Sequence, residues 1–213
     1  MEAFKIISSH RRDDFSIVLK IENPVSRELE DKYYSDIRMG LHWPTAASSA
    51  CFVIIAQGYP VSGTQGRREL IAEYVSESIG MNGFYRQIIH YAQELYCTRL
   101  YAILPENRSE CGYLQDLEEY SWRKECSLSI DESLVDNFFL SVSRIRDSMD
   151  NGNLVIPDNS VAYEQLNRIV REDLQDNPDE RFHYIDALGH VLDGFYRHPP
   201  VNQPYINRPN APY

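Results

Sequence analysis

Apolar residues fall along this chain in two rhythms: short runs or alternation in the first third, and spacings of three and four later on. Residues 15–21 (Phe-Ser-Ile-Val-Leu-Lys-Ile) alternate enough for a small strand, and the charged run 27–32 reads as a helical or loop connector. Apolar runs at 37–43 and 50–57 come next. The second, Ala-Cys-Phe-Val-Ile-Ile-Ala-Gln, is rich in β-formers and continuous enough for a central strand buried on both faces. Residues 45–49 form the turn between them. Three glycines and a proline mark 58–66 as a loop, and 68–75 alternates as the third strand of an antiparallel opening.

After Gly83 the spacing lengthens. Phe84, Ile88, Tyr91, Ala92 and Leu95 recur at helical intervals up to Cys97, and Arg-Leu-Tyr-Ala-Ile-Leu at 99–104 predicts a short strand parallel to the first. Residues 112–120 predict a helix. A longer amphipathic helix is predicted over 133–149, with Val135, Phe138, Phe139, Val142 and Ile145 inward, and Asp150-Asn-Gly-Asn stops it. A strand at 154–157 follows, then a helix capped by Ser160 and running through Leu174, an acidic linker at 176–180, and a last helix over 182–197. Pro and Asn dominate 198–213, so that segment predicts an extended tail.

Composition narrows the classes. With 213 residues, 43% hydrophobic and 25% charged, the chain can bury one core, and the division is an extension or linker over 1–35, one domain over 36–197 and the tail over 198–213. No apolar run approaches the ~18–20 residues of a membrane span, and residues 1–10 lack the apolar core of a signal peptide, so a cytoplasmic protein with no membrane partner is expected. Four cysteines without a CxxC pair indicate neither a zinc knuckle nor a disulfide framework. The formal net charge of −11 opposes phosphate binding, so DNA is expected to be held only weakly. The glycine-bearing loop lacks the Lys-Ser/Thr pair of a P-loop, and neither Cys97 with His90 nor Ser48 and Ser49 with His42 has a third orienting group.

The remaining chemistry sits at both ends of the domain. Residues 182–192, Phe-His-Tyr-Ile-Asp-Ala-Leu-Gly-His-Val-Leu, put His183 and Asp186 on one helix face. Upstream come a helix ending at Met149, Asn-Gly, the strand Asn-Leu-Val-Ile-Pro, and Tyr163-Glu-Gln-Leu. Residues 31–44 read Asp-Lys-Tyr-Tyr-Ser-Asp-Ile-Arg-Met-Gly-Leu-His-Trp-Pro. Over residues 31–197 these segments resemble the nuclease domain of viral and phage DNA-packaging terminases. In that family a His-x-x-Asp-Ala-Leu run opens the closing helix and supplies a metal-binding Asp. The first strand carries another catalytic Asp just after a glycine.

The resemblance implies an RNase H-like α/β fold: a mixed sheet of three antiparallel opening strands and then parallel strands, flanked by helices. It also implies two divalent ions, Mg²⁺ or Mn²⁺, on carboxylates of the first strand, the fourth strand and the last helix, and partners among the motor ATPase, portal and small terminase. Asp186 matches the family Asp, with His183 beside it. His42 of Gly40-Leu41-His42 stands where the first-strand Asp is expected, and Ile103 and Leu104 stand where the fourth-strand carboxylate is expected. Only Glu106, past Pro105, remains to approach the site, so the candidate metal ligands are Asp186 and Glu106 and the candidate catalytic set adds His183 and His42.

A plainer reading of the last helix is a solvated stripe of His183, Asp186, His190, Asp193 and Arg197 opposite Tyr184, Ile185, Leu188, Val191, Leu192 and Phe195. The acidic approach at 129–136 also departs from a DNA-facing surface. The function these residues imply is a terminase nuclease-like domain with a vestigial active site, its cleavage weak or lost and its role one of binding. The alternatives are an active metal-dependent endonuclease with a rearranged site, and a non-enzymatic α/β interaction protein.

Overall fold

A computed structural model describes residues 5–22, 26–45, 49–59, 66–76, 80–103, 111–135, 137–174 and 182–199. Strands β1 (Lys5–Arg11), β2 (Ile17–Glu22), β3 (Leu29–His42), β4 (Cys51–Gly58) and β5 (Arg68–Val75) run antiparallel in chain order. Helix α1 (Gly80–Glu94) leads to β6 (Arg99–Ala102), α2 (Cys111–Arg123) to β7 (Ser129–Glu132), and α3 (Phe138–Asp150) to β8 (Leu154–Val155). Helices α4 (Val161–Arg168) and α5 (His183–Arg197) close the fold. Strand β6 pairs parallel with β3, β7 with β6, and β8 with β5.

β3 organises the sheet. Its 14 residues let β2 pair along its first half (Ile17 opposite Tyr34) and β6 along its second (Arg38 opposite Arg99). On its other edge β4 runs from Gly58, opposite Tyr34, to Cys51, opposite His42. Ser35 is an extra residue in that ladder, since Tyr34 pairs with Gly58 and Asp36 with Gln57. Such a bulge shifts the side-chain alternation by one, so Tyr34 and Ile37 both enter the same core. One face carries Leu19, Met39, Leu41, Phe52 and Ile54 against Phe84 and Ile88 of α1. The other carries Cys51, Val53, Ile55 and Leu70 against Ile185, Leu188 and Leu192 of α5, with Val142 and Ile145 of α3 behind.

α5 crosses β3 at backbone contact. A Cβ on Gly40 would fall inside the Ala187 carbonyl, and one on Gly189 would strike the Ser141 side chain of α3. These close approaches require glycine and fix where the first turns of α5 lie over the end of β3.

The charged run 27–32, expected as a connector, instead enters β3 at Leu29. Residues 29–33 pair with β2 alone, so this part of the strand needs no apolar alternation. β1 and β7 were not predicted, because Lys-Ile-Ile-Ser-Ser-His-Arg and Ser-Ile-Asp-Glu are edge strands paired on one side only. The helix expected from 133 begins at Phe138, where Asn137 caps it by accepting from the Leu140 amide. Phe139, expected inward, is 49% exposed, since the buried face of α3 is set by Phe138, Val142 and Ile145. α4 stops at Arg168 rather than Leu174. Its start is as expected: Ser160 accepts from the Tyr163 amide, and the buried Glu73 carboxylate of β5 accepts from the Val161 and Ala162 amides at 2.8 and 2.7 Å. The acidic linker at 176–180, the turn residues 46–48 and all but the first residues of the tail lie outside the described residues. No helix among the described residues is long and apolar enough to cross a membrane.

Candidate functional site

Three elements deliver polar groups to one point. β3 ends on His42, α5 presents Asp186 and His190 one turn apart, and Ser133 follows β7. His42 Nδ1 lies 2.7 Å from Asp186 Oδ2, and His190 Nε2 lies 3.2 Å from the same oxygen. An ionised carboxylate only accepts, so both ring nitrogens carry the proton. His190 Nδ1 then accepts from Ser133 Oγ at 3.0 Å, and Ser133 Oγ accepts from the Val135 amide at 3.3 Å.

Burial by itself would raise the Asp186 carboxyl. The His190 and His42 imidazoles beside it outweigh that and hold it well below the usual carboxylate range. His183 behaves oppositely: burial and the neighbouring His42 push it down to about 4, against a smaller pull from Asp186. Its ring centroid is 6.2 Å from that of His42, and its buried Nδ1 has no hydrogen-bond partner among the described residues. Cys51, opposite His42 in the ladder, donates its thiol to the His183 carbonyl. Burial first, then Asp186 and Glu73, push that thiol well above its ordinary value, so it stays protonated.

The middle of the polar stripe of α5 is internal, which corrects the expectation of a solvated face for His190 and Asp193, whereas His183 and Asp186 are half-buried and Arg197 is exposed. His190 is 1% exposed and Asp193 3%. Asp193 accepts from the Leu134 amide, Arg144 and Arg197 at 3.1, 3.0 and 2.8 Å. His190 and Asp193 are buried because the segment after β7, which bears Ser133 and Leu134, packs beside them. At the far end of α5 the buried Arg38 donates to the Gly194 and His198 carbonyls at 2.8 and 2.6 Å and to Asp36 at 2.8 Å, with its guanidinium 4.4 Å from the Phe195 ring centre.

Of the candidate residues, Asp186 and His42 are in direct contact and His183 is adjacent. Glu106 and Leu104 lie outside the described residues, and Ile103 is partly exposed at the end of β6. Ser133 and Arg38 escaped sequence reasoning. No signal marked Ser133, whereas His190 was foreshadowed by its i+4 spacing from Asp186. Hard divalent ions need several oxygen ligands. Among the described residues no three His, Cys, Asp or Glu side chains are placed to hold an ion, and the Asp186 oxygen nearest His42 is taken by two imidazole N–H groups. That donor set does not fit a Mg²⁺ or Mn²⁺ pair.

The sheet order and the placement of α1 and α5 on opposite faces are those of an RNase H-like fold. Within that class the fold is similar to that of a phage large-terminase nuclease domain. Two crystal structures of the large terminase nuclease from thermophilic phage G20c, one with bound zinc, each superpose with a TM-score of 0.51 at 8% identity, over 92% of this chain and 94% of that one. RuvC of Thermus thermophilus superposes more loosely, with a TM-score of 0.42 at 11% identity over 76% of this chain and 95% of that one. No protein-family model matches the sequence, and a search among curated proteins finds no match.

Proposed function

We propose that this chain is a terminase nuclease-like domain that serves viral DNA packaging by binding partners, with endonuclease activity weak or lost. The observation that carries this reading is the His42–Asp186–His190 arrangement: a single carboxylate, hydrogen-bonded to two imidazoles, stands where a nuclease of this fold needs a group of carboxylates. The net charge of −11 agrees, because without basic groups the domain gains little from phosphates. Its partners are then the motor ATPase, the portal or the small terminase of a bacteriophage, in the host cytoplasm, and DNA is reached through them.

The alternative is an active endonuclease that uses Asp186, Glu106, His183 and His42. It is favoured by the contact between His42 and Asp186 and by the His183 Nδ1 beside them, which has no partner among the described residues. Incubating supercoiled plasmid with Mg²⁺ or Mn²⁺ and either the wild type or Asp186→Ala separates the two. The binding role predicts the same background nicking from both proteins. Cleavage by the wild type that the substitution abolishes would establish the endonuclease.

A further inference from the structure

A carboxylate drawn largely out of water, as Asp186 is with 13% of its side chain exposed, is costly unless opposite charge or strong donors compensate it. In this fold a cation can supply that compensation, and here the chain's own side chains do so. We infer that the His42 and His190 N–H groups take the place of a bound cation at Asp186, so that the junction of β3 and α5 is assembled and held without divalent ions. The inference deepens the function proposed above and rests on it only for the place of this site in the fold.

Three observations carry it. His42 Nδ1 and His190 Nε2 converge on one Asp186 oxygen at 2.7 and 3.2 Å, distances at which the two protons occupy the space a cation would need. An ion there would have to strip the proton from His42 Nδ1 and displace the His190 donor as well. Next, a neutral His190 that gives its Nε2–H to Asp186 has Nδ1 left to accept the Ser133 hydroxyl at 3.0 Å, so both ring nitrogens are satisfied without an ion. Finally, the strand and helix already meet at backbone contact, Gly40 against the Ala187 carbonyl, so β3 cannot shift toward α5 to rearrange the ligands around an ion. The neighbouring thiol offers no substitute ligand, since Cys51 is buried, protonated and donating to the His183 carbonyl.

The test uses the full chain. Melting midpoints are measured with EDTA, MgCl₂, MnCl₂ or ZnCl₂, for the wild type and for Asp186→Asn, and the histidine tautomers of the wild type are read from side-chain ¹⁵N spectra. An ion bound at Asp186 at a hundredfold excess over its dissociation constant would raise the midpoint by roughly 5–10 °C. The inference expects no Asp186-dependent rise with any of the three ions, His42 protonated at Nδ1 and His190 protonated at Nε2. A rise that persists in Asp186→Asn comes from ions bound elsewhere and leaves this junction metal-free, as inferred. A rise lost in Asp186→Asn overturns the inference, as does a wild-type His42 with its lone pair on Nδ1. Such a rise without plasmid cleavage would leave the proposed binding role standing, whereas Asp186-dependent cleavage would remove that role too.

Discussion

Arg38 is the residue whose loss the structure prices most closely. It is 3% exposed, forms a 2.7 Å ion pair with Asp36, caps the C-terminal end of α5 through the Gly194 and His198 carbonyls, and lies against Phe195. Arg38→Met keeps much of the aliphatic volume and removes the charge and every donor. Breaking a buried pair by deleting one partner costs about 3–5 kcal/mol, much of it from the charge left behind. Asp36 keeps 23% of its side chain in solvent, which argues for the lower end. The two carbonyls lose charged donors worth about 1.5–3 kcal/mol each, but those at a helix end can turn to water, so a total near 3 kcal/mol is expected.

For a chain of this size that corresponds to a fall in melting midpoint of roughly 6–12 °C. Urea unfolding followed by circular dichroism, with the slope checked for two-state behaviour, measures it. The double variant Arg38→Met with Asp36→Asn should recover part of the loss, because the second change removes the uncompensated charge. A single-variant loss under about 1 kcal/mol would refute the reasoning, because that is the scale of a surface pair.

The remaining predictions concern other parts of the molecule. His183 is held down to about 4 in the folded chain against about 6.5 unfolded. The unfolded state therefore takes up the proton first, and stability falls as pH drops from about 6.5 to 4, by up to about 3 kcal/mol at about 1.4 kcal/mol per unit. Asp186, lowered in the fold, adds its own loss only below about pH 4, so His183→Gln should flatten the upper window alone in urea titrations at stepped pH. Glu73→Gln keeps one acceptor for the first amides of α4 and loses the carboxylate, which should cost about 1–2 kcal/mol by urea unfolding. Iodoacetamide should modify Cys126 well before Cys51 or Cys97 in the native protein. Burial pushes Cys97 up to about 12 and Cys51 well above its usual value, whereas Cys126 is only half-buried; early labelling at Cys51 by mass spectrometry would show that its strand opens.

The parts of the fold that sequence patterning shows are those whose burial sets a rhythm. β4 is buried on both faces and reads as an unbroken run, and α1 reads from Phe84, Ile88 and Ala92. β1, β7 and the first half of β3 leave no such trace, because edge pairing satisfies the backbone without burying alternate side chains. The site divides the same way. Asp186 and His42, which meet in the structure, stand out in the sequence because each falls at a place where the family resemblance implies chemistry. Ser133 and Arg38 were not, since what brings them in is the convergence of strands far apart in sequence.

The stripe on α5 is the most instructive case, since its spacing is the same whether it faces water or protein. What separates the two outcomes is the company it keeps. A surface helix gains nothing from glycine, which costs about 0.5–1 kcal/mol against alanine in a helix interior, yet α5 carries Gly189 and Gly194. Each meets a specific neighbour, Gly189 the Ser141 side chain and Gly194 the Tyr101 ring, on sides the apolar stripe alone would not have required to be covered. Small residues on more than one face of a helix imply contact on more than one face. A polar stripe between such contacts has to find its partners inside the protein, as His190 does with Ser133 and Asp193 does with Arg144.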